Sequence, residues 1–423
     1  MHENRFGPYF LAQFQLSVPR EHRETAYQRR MATLIEKVWH RAGEWIPKVG
    51  FYFDRPIVVL QSDDWGRAGL RDHEGLEQLS AAGLALGEKP YDFYTLETSE
   101  DLSALRATLR RHRDSAGRCP RLEMNFIVAN LDLEKMAAEE FQCLRLLPLA
   151  EGLPAGWNRP GLLEAYREGV REGLFCPALH GTTHFCRAAV NRYLADAGER
   201  GKLLQTLWKA GTPYIHWRMP WIGYEYWDSE AGAADRFLLA ARQRDLIGEA
   251  VGAFAKLFST LPRSACAPGY RANHDTHRAW AQFGIRVAQN GPGIPIPPHF
   301  DHQGILQLYR TVEFEPALNP AFALDGCLRS AQACFARGIP AIVSVHSINF
   351  HSSLRNFRGP TLRLLDEFLT ALQSANPDLL YLHGEELYQL VGKGSVETAE
   401  GAVSVQVTKK SFRKSRVAQG LEA

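Results

Sequence analysis

Apolar residues along the 423-residue chain fall into two alternating kinds of run. Short stretches, "PIVVLQ", "LEMNFIVAN", "LFCPALHG", "RSACAPG", "IRVAQNG", "ILQLYRTVEF", "AIVSVHS" and "DLLYLHG", have the length of buried strands. Between them, apolar positions recur three and four apart, in Ser99 to His112, Arg159 to Glu172, Ala233 to Phe258, Ala321 to Ala336 and Pro360 to Ser374. That spacing predicts amphipathic helices. Strand followed by helix, repeated about seven or eight times, implies right-handed crossovers and a parallel sheet. The number of repeats predicts an α/β fold closed as a distorted (β/α) barrel of about seven strands, with an open doubly wound sheet as the alternative. No glycine-rich phosphate loop follows the first strand, which argues against dinucleotide binding.

Three segments stand outside this rhythm. Residues 1–50 contain "EHRETAYQRRMATLIEKVWHRAGEW" and predict an N-terminal helical extension that caps the barrel bottom or meets a second subunit. The barrel is expected over residues 51–394, and residues 395–423, ending "VTKKSFRKSRVAQGLEA", read as a flexible basic tail. Gly211 to Asp228, "GTPYIHWRMPWIGYEYWD", carries three tryptophans and three tyrosines. It reads either as an aromatic cover over a barrel face or as a platform for stacking a sugar ring.

Composition narrows the partners. A net charge of +2 gives no overall field toward nucleic acid or an anionic membrane. Seven cysteines without a CxxC pair fit neither a disulfide scaffold nor a structural zinc knuckle. With no apolar run long enough for a signal peptide or a membrane span, the expectation is a soluble, cytoplasmic protein acting on a small molecule, in which a homo-oligomer stays open.

Parallel βα folds carry their chemistry at the C-terminal ends of strands. "IVVLQSDDWGRAG" places Asp63 and Asp64 at such an end, where adjacent acids alone would read as a helix cap or a solvated turn. "LHGTTHF" adds His180 and His184, spaced so that both imidazoles reach one ion. With 15 histidines in the chain, roughly half of one such pair is expected from random order, so position counts for more than spacing. An aspartate from the first strand would complete a two-histidine, one-carboxylate set with open positions for water and substrate, while its neighbour stays free to take a proton. A rival site is a Cys266 thiolate near His274 or His277, for which no third orienting group is identifiable. Asp301 and His302, in a proline-rich loop, and His351 are weaker candidates, read first as turn or loop residues.

The order "SDDWG", "HGTTH", "APGYR" and "VSVH" resembles the homology blocks of the polysaccharide deacetylase family, carbohydrate esterases related to the chitooligosaccharide deacetylase of nodulating bacteria. The run "IPAIVSVHSINFHSSLRNFRGPTLRLLDEFL" is similar to a poorly characterised bacterial branch labelled polysaccharide (de)acetylase, and the likeness covers about Arg55 to Val391. The resemblance implies a divalent cation, most often zinc with cobalt or manganese as alternatives, held by Asp64, His180 and His184. It implies Asp63 as catalytic base and His346 as the general acid toward a leaving amine. Trp65, Tyr270, Arg271, Trp217 and Trp221 are the candidate substrate contacts. The implied activity is metal-dependent removal of an N-acetyl group from a sugar or related amide. Alternatives are another carbon–nitrogen hydrolase, a glycoside-directed enzyme, or an inactive carbohydrate-binding protein. Three positions depart from the family pattern: Trp65 before the glycine, Gly181 in place of Ser or Thr, and Cys266 in place of the arginine that orients the base. That orienting role falls to Arg271, to another residue, or to nothing.

Overall fold

The computed structural model describes residues 48–196, 198–293, 295–398 and 401–412. The main sheet contains, in chain order, β1 (Lys48–Phe53), β2 (Ile57–Trp65), β3 (Leu122–Phe126), β4 (Phe175–Leu179), β5 (Ser264–Cys266) and β6 (Val287–Pro292). It continues with β7 (His299–Phe300), β8 (Leu306–Arg310), β9 (Val312–Glu313), β10 (Ala341–His346), β11 (Leu380–Tyr381) and β12 (Val407–Phe412). Each of the eight runs read from the sequence as strands contributes a strand to this sheet, although the end of "LEMNFIVAN" pairs separately, Ala129 with Pro148 and Asn130 with Leu147.

The parallel ladder runs β10, β2, β3, β4, β5, β6, β8. Its ends meet through one stretch of chain. Leu306 to Arg310 pairs with β6, and two residues on, Val312 and Glu313 pair with Val343 and Ser344 of β10. The sheet therefore curls into the distorted barrel expected, and the open doubly wound alternative does not describe it.

Two expectations about the ends of the barrel are corrected. Residues 48–50 are not helical but open β1, while residues 1–47 of the expected extension lie outside the described residues. Residues 395–398 and 401–412 are not a loose tail: Ser395–Thr398 pairs antiparallel with Gly401–Ser404, and β12 pairs antiparallel with β1 from Lys48↔Phe412 to Phe53↔Val407, while residues 413–423 of the expected tail lie outside the described residues. The strand pair buries Val396 and Val403, alternate apolar positions hidden in a polar, basic stretch.

Helices cover the sheet as the periodicity predicts. In α1 (Ser99–Leu109) the Thr98 hydroxyl accepts from the Asp101 amide at 3.1 Å, and the Asp101 carboxylate accepts from the Thr98 amide at 3.0 Å. This reciprocal cap satisfies two orphan donors, typically worth about 1 kcal/mol. Leu102, Leu105 and Leu109, at i, i+3 and i+7, are all fully buried against the sheet. The helix Ala240–Phe258 starts seven residues later than the pattern suggested, because Ala233 to Asp235 form a turn closed by Asp235 N–H on Gly232 O at 2.7 Å.

Alternate residues of each strand share one face, and four strands change character along it. Ile57, Val59, Gln61 and Asp63 on β2, Val287 and Gln289 on β6, Leu306, Leu308 and Arg310 on β8, and Ile342, Ser344 and His346 on β10 all pass from apolar to polar toward the C-terminal end. The apolar members form one buried cluster. The polar members are linked instead: Arg310 donates to Gln61 at 3.3 Å, to Gln289 at 3.3 Å and to Ser344 at 3.2 Å. Each of these groups is buried and hydrogen-bonded, as burial demands.

Candidate metal-binding active site

The two acids of β2 do not alternate. The pairing of β2 with β3 slips between Ser62 and Trp65, and Asp64 takes a left-handed φ of 74°. Such a bulge re-aims side chains, and a left-handed non-glycine residue costs about 1–2 kcal/mol, least for Asp and Asn. Tyr94 Oη donates to the Asp64 carbonyl at 2.7 Å and holds this backbone in place. Both carboxylates come close to His180, while Trp65 turns to the helix layer.

The Asp64 Oδ1 oxygen stands 3.6 Å from His180 Nε2 and 3.4 Å from His184 Nε2. It is buried and accepts no hydrogen bond from the described residues. Its partner Oδ2 lies 3.3 Å from Arg67 Nη2. His180 Nδ1 sits 2.8 Å from the Cys266 carbonyl, which accepts its proton and leaves Nε2 as the free lone pair. A tetrahedral ion with bonds of about 2.1 Å has edges of about 3.4 Å; the two Asp64–histidine separations match that edge, and the three ligand atoms all lie within 4.8 Å of one another, so the set could hold one cation. Burial by itself would raise the Asp64 carboxyl, but Arg67 and the two histidines outweigh it and keep the group well below the usual carboxylate range.

Asp63 is held differently. Arg310 Nη1 and Nη2 each donate to it at 2.6 Å, a bidentate fork, and Asn125 Nδ2 adds 2.7 Å. Burial opposes its charge, and Arg310 with His180 and His346 overcomes that, holding Asp63 well below the usual carboxylate range. His346 faces Asp63 across the β2–β10 register, with Nε2 4.0 Å from Asp63 Oδ2. Its Nδ1 donates to Glu315 Oε1 at 2.7 Å, and Asn349 Nδ2 fixes Glu315 Oε2 at 2.6 Å. Burial would lower the imidazole, but Glu315 and then Asp63 push it up to about 9. His346, 24% exposed, is the most open of these side chains.

Two of the three departures from the resembled pattern, at Cys266 and Gly181, have a physical counterpart here. Arg310, from a strand 247 residues away in sequence, holds Asp63 where position 266 offers no arginine, and the Cys266 sulfur lies 3.9 Å from both Arg310 and Asp63. Glu225 accepts from the Thr182 amide at 2.9 Å and the Thr183 amide at 3.1 Å. A Cβ on Gly181 would fall on that carboxylate, so the glycine makes room for it. Burial pushes Glu225 up to about 7. Sequence reasoning missed Arg310, Asn125, Glu315 and Glu225. The signal for Arg310 was its parity, a charge at the third inward position of Leu306, Leu308, Arg310.

The substrate-contact expectations divide. Tyr270 borders the site, its hydroxyl 2.8 Å from Arg310 Nη1. Trp65 is fully buried beside Phe350, because the bulge sends it outward, and so cannot touch substrate. Trp221 is buried against Tyr193, and Trp217 donates from Nε1 to Asp92 at 3.0 Å; both belong to the aromatic cover. Arg271 does not reach Asp63 and lies over the Trp227 ring at 4.8 Å. Tyr214 and Tyr224 flank His184, with ring centroids 6.5 and 5.6 Å away. The thiolate rival loses its partners: burial raises the Cys266 thiol well above its ordinary value, His277 is committed to Asp301 at 2.9 Å, and His274 stands by His302. Asp301 also caps its own turn through the Gln303 and Ile305 amides. His351 is fully buried, 3.4 Å from Glu97. No helix among the described residues is long and apolar enough to cross a membrane.

No protein-family model matches the sequence, and no curated protein does. Solved structures do resemble it. A Parabacteroides distasonis protein described as a glycoside hydrolase or deacetylase aligns with TM-score 0.47 and 12% identity, over 81% of this chain and 72% of its own. A Mycobacterium smegmatis protein described as a polysaccharide deacetylase aligns with TM-score 0.42 and 12% identity, over 80% and 91%. A CE4 family pseudoenzyme from Bacillus anthracis aligns with TM-score 0.35 and 11% identity, over 79% and 65%.

Proposed function

We propose that the protein is a metal-dependent hydrolase that removes an acyl group, in the first instance N-acetyl, from a sugar or related amide. The observation that carries this reading is Asp64 Oδ1, a buried carboxylate oxygen without a hydrogen-bond partner, facing two imidazole nitrogens at 3.4 and 3.6 Å. Asp64, His180 and His184 would hold the cation, and their nitrogen and oxygen donors suit zinc, with cobalt or manganese next. A divalent ion there supplies Lewis acidity and brings bound water toward neutral pKa. Asp63, kept ionised and oriented by Arg310, takes the proton of the attacking water at Oδ2. His346, kept protonated by Glu315, gives a proton from Nε2 to the departing nitrogen. Tyr224, beside His184, offers an aromatic face to a sugar ring.

The first test is chelation. Purified protein should contain about one divalent ion, and its removal should lower the thermal midpoint, since ligand at a hundredfold excess over Kd stabilises by about 2.7 kcal/mol. Unchanged melting with and without chelator, and no bound ion, would remove the metal site.

A pH profile tests the acid. His346 has its folded value raised, so the imidazolium is present below about 9 and is lost as pH rises through that value. The rate of acetate release should therefore fall on the alkaline side near or below pH 9, a bound cation moving the limb down. Glu315→Gln should shift that limb lower by roughly 1–3 pH units, because an opposite charge in contact moves a pKa by about that much. An identical alkaline limb in both proteins would exclude His346 as the titrating acid.

A further inference from the structure

Near the candidate metal centre, one cationic feature has no counter-charge among the described residues. Trp227 exchanges backbone hydrogen bonds with Tyr224, both at 2.8 Å, and their ring centroids lie 6.0 Å apart. Tyr224 in turn packs edge-on to His184. Two arginines from separate segments converge on Trp227. Arg271, following the turn after β5, has its guanidinium carbon 4.8 Å from the ring centroid. Arg236 is brought in by the isolated bridge between Trp227 and Phe237 and stands 5.4 Å from it. Both side chains are half-buried, and the Nε of each is buried without a hydrogen-bond partner.

The acids of the neighbourhood are engaged elsewhere. Asp228 binds Arg192 at 2.6 and 3.0 Å, Glu225 caps the Thr182 and Thr183 amides, and Asp275 binds Arg278 at 3.1 Å. Among the described residues, no carboxylate lies within ion-pair distance of Arg236 or Arg271. Two guanidinium groups packed on one ring, partly removed from water and without an anion among the described residues, leave buried Nε donors unsatisfied. Packing on the indole face compensates only in part. Guanidinium forks match phosphate and carboxylate oxygens, and such charge-assisted bonds are the strong ones.

We propose that Arg236 and Arg271 form an anion subsite beside the metal centre, and that the substrate carries a phosphate or carboxylate group that docks there. The word substrate rests on the hydrolase reading; the anion binding requires neither metal nor turnover. The test is calorimetric binding to the full chain after chelation, with three probes: N-acetylglucosamine 1-phosphate, N-acetylneuraminic acid and neutral N-acetylglucosamine. One acidic probe should bind at least about tenfold more tightly than the neutral sugar, and which of the two does so separates phosphate from carboxylate. The preference should collapse in R236Q/R271Q, be reduced but not abolished in R236K/R271K, which keeps the charge and loses the fork, and weaken with salt. Equal binding of all three probes, or a preference untouched in the glutamine variant, would overturn the subsite. Failure of the hydrolase reading shows elsewhere, in absent metal and absent acetate release, and leaves this binding result standing.

Discussion

Arg310→Met is expected to destabilise the fold by about 3–5 kcal/mol, the cost of stranding one member of a buried ion pair. Arg310 is fully buried, and its two terminal nitrogens each lie 2.6 Å from an Asp63 oxygen. Without it, Asp63 retains, among the described residues, only the Asn125 amide as a strong donor, in a setting whose burial disfavours the charge. The loss should be coupled to Asp63. Adding Asp63→Asn to Arg310→Met removes the stranded charge, so the double variant should be more stable than Arg310→Met alone. Denaturant unfolding of the wild type, the two single variants and the double variant gives the coupling as a cycle. Simple additivity of the two single effects would mean that the fork contributes nothing as a pair, and that Arg310 does not hold the base.

The contrast between Arg310 and the histidine pair explains what the sequence could show. His180 and His184 sit in one turn, so a four-residue spacing and a strand end suffice to nominate them. Asp63 and Asp64 share a strand end likewise, and His346 closes a strand that pairs directly with theirs. Arg310 meets Asp63 only because the chain from Leu306 to Glu313 leaves β6 and joins β10, a pairing switch that no local pattern encodes. Glu225 is invisible for the same reason: Gly181 reads as a lost side chain until the aromatic segment returns a carboxylate to the same space. Trp65 misleads because alternation gives its direction correctly only if no residue is inserted, and Asp64 is inserted. The stretches 395–398 and 401–412 mislead through composition, since Val396, Val403 and Val405 bury while Lys409 and Lys410 face solvent. Strand and helix positions were thus legible from period alone, whereas contacts between distant strand ends depended on closure of the ring.

His346→Gln should lower amide hydrolysis by about 10²–10⁴-fold, the usual contribution of a positioned general acid. Stability and metal content should change little, because the side chain is partly exposed and does not belong to the Asp64, His180, His184 set. The decisive comparison is between leaving groups. An amine must be protonated as its bond to carbon breaks, whereas a p-nitrophenolate leaves without a proton. The variant should therefore keep much of its activity toward p-nitrophenyl acetate while losing it toward an N-acetylated sugar. Asp63→Asn should behave otherwise: attack by water precedes departure of either group, so both substrates should suffer alike. If His346→Gln lowers the two activities by the same factor, His346 acts before the bond breaks, in binding or in attack. The division of labour that Glu315 and Arg310 impose on His346 and Asp63, one kept protonated and the other kept ionised, would then have to be assigned to a different step.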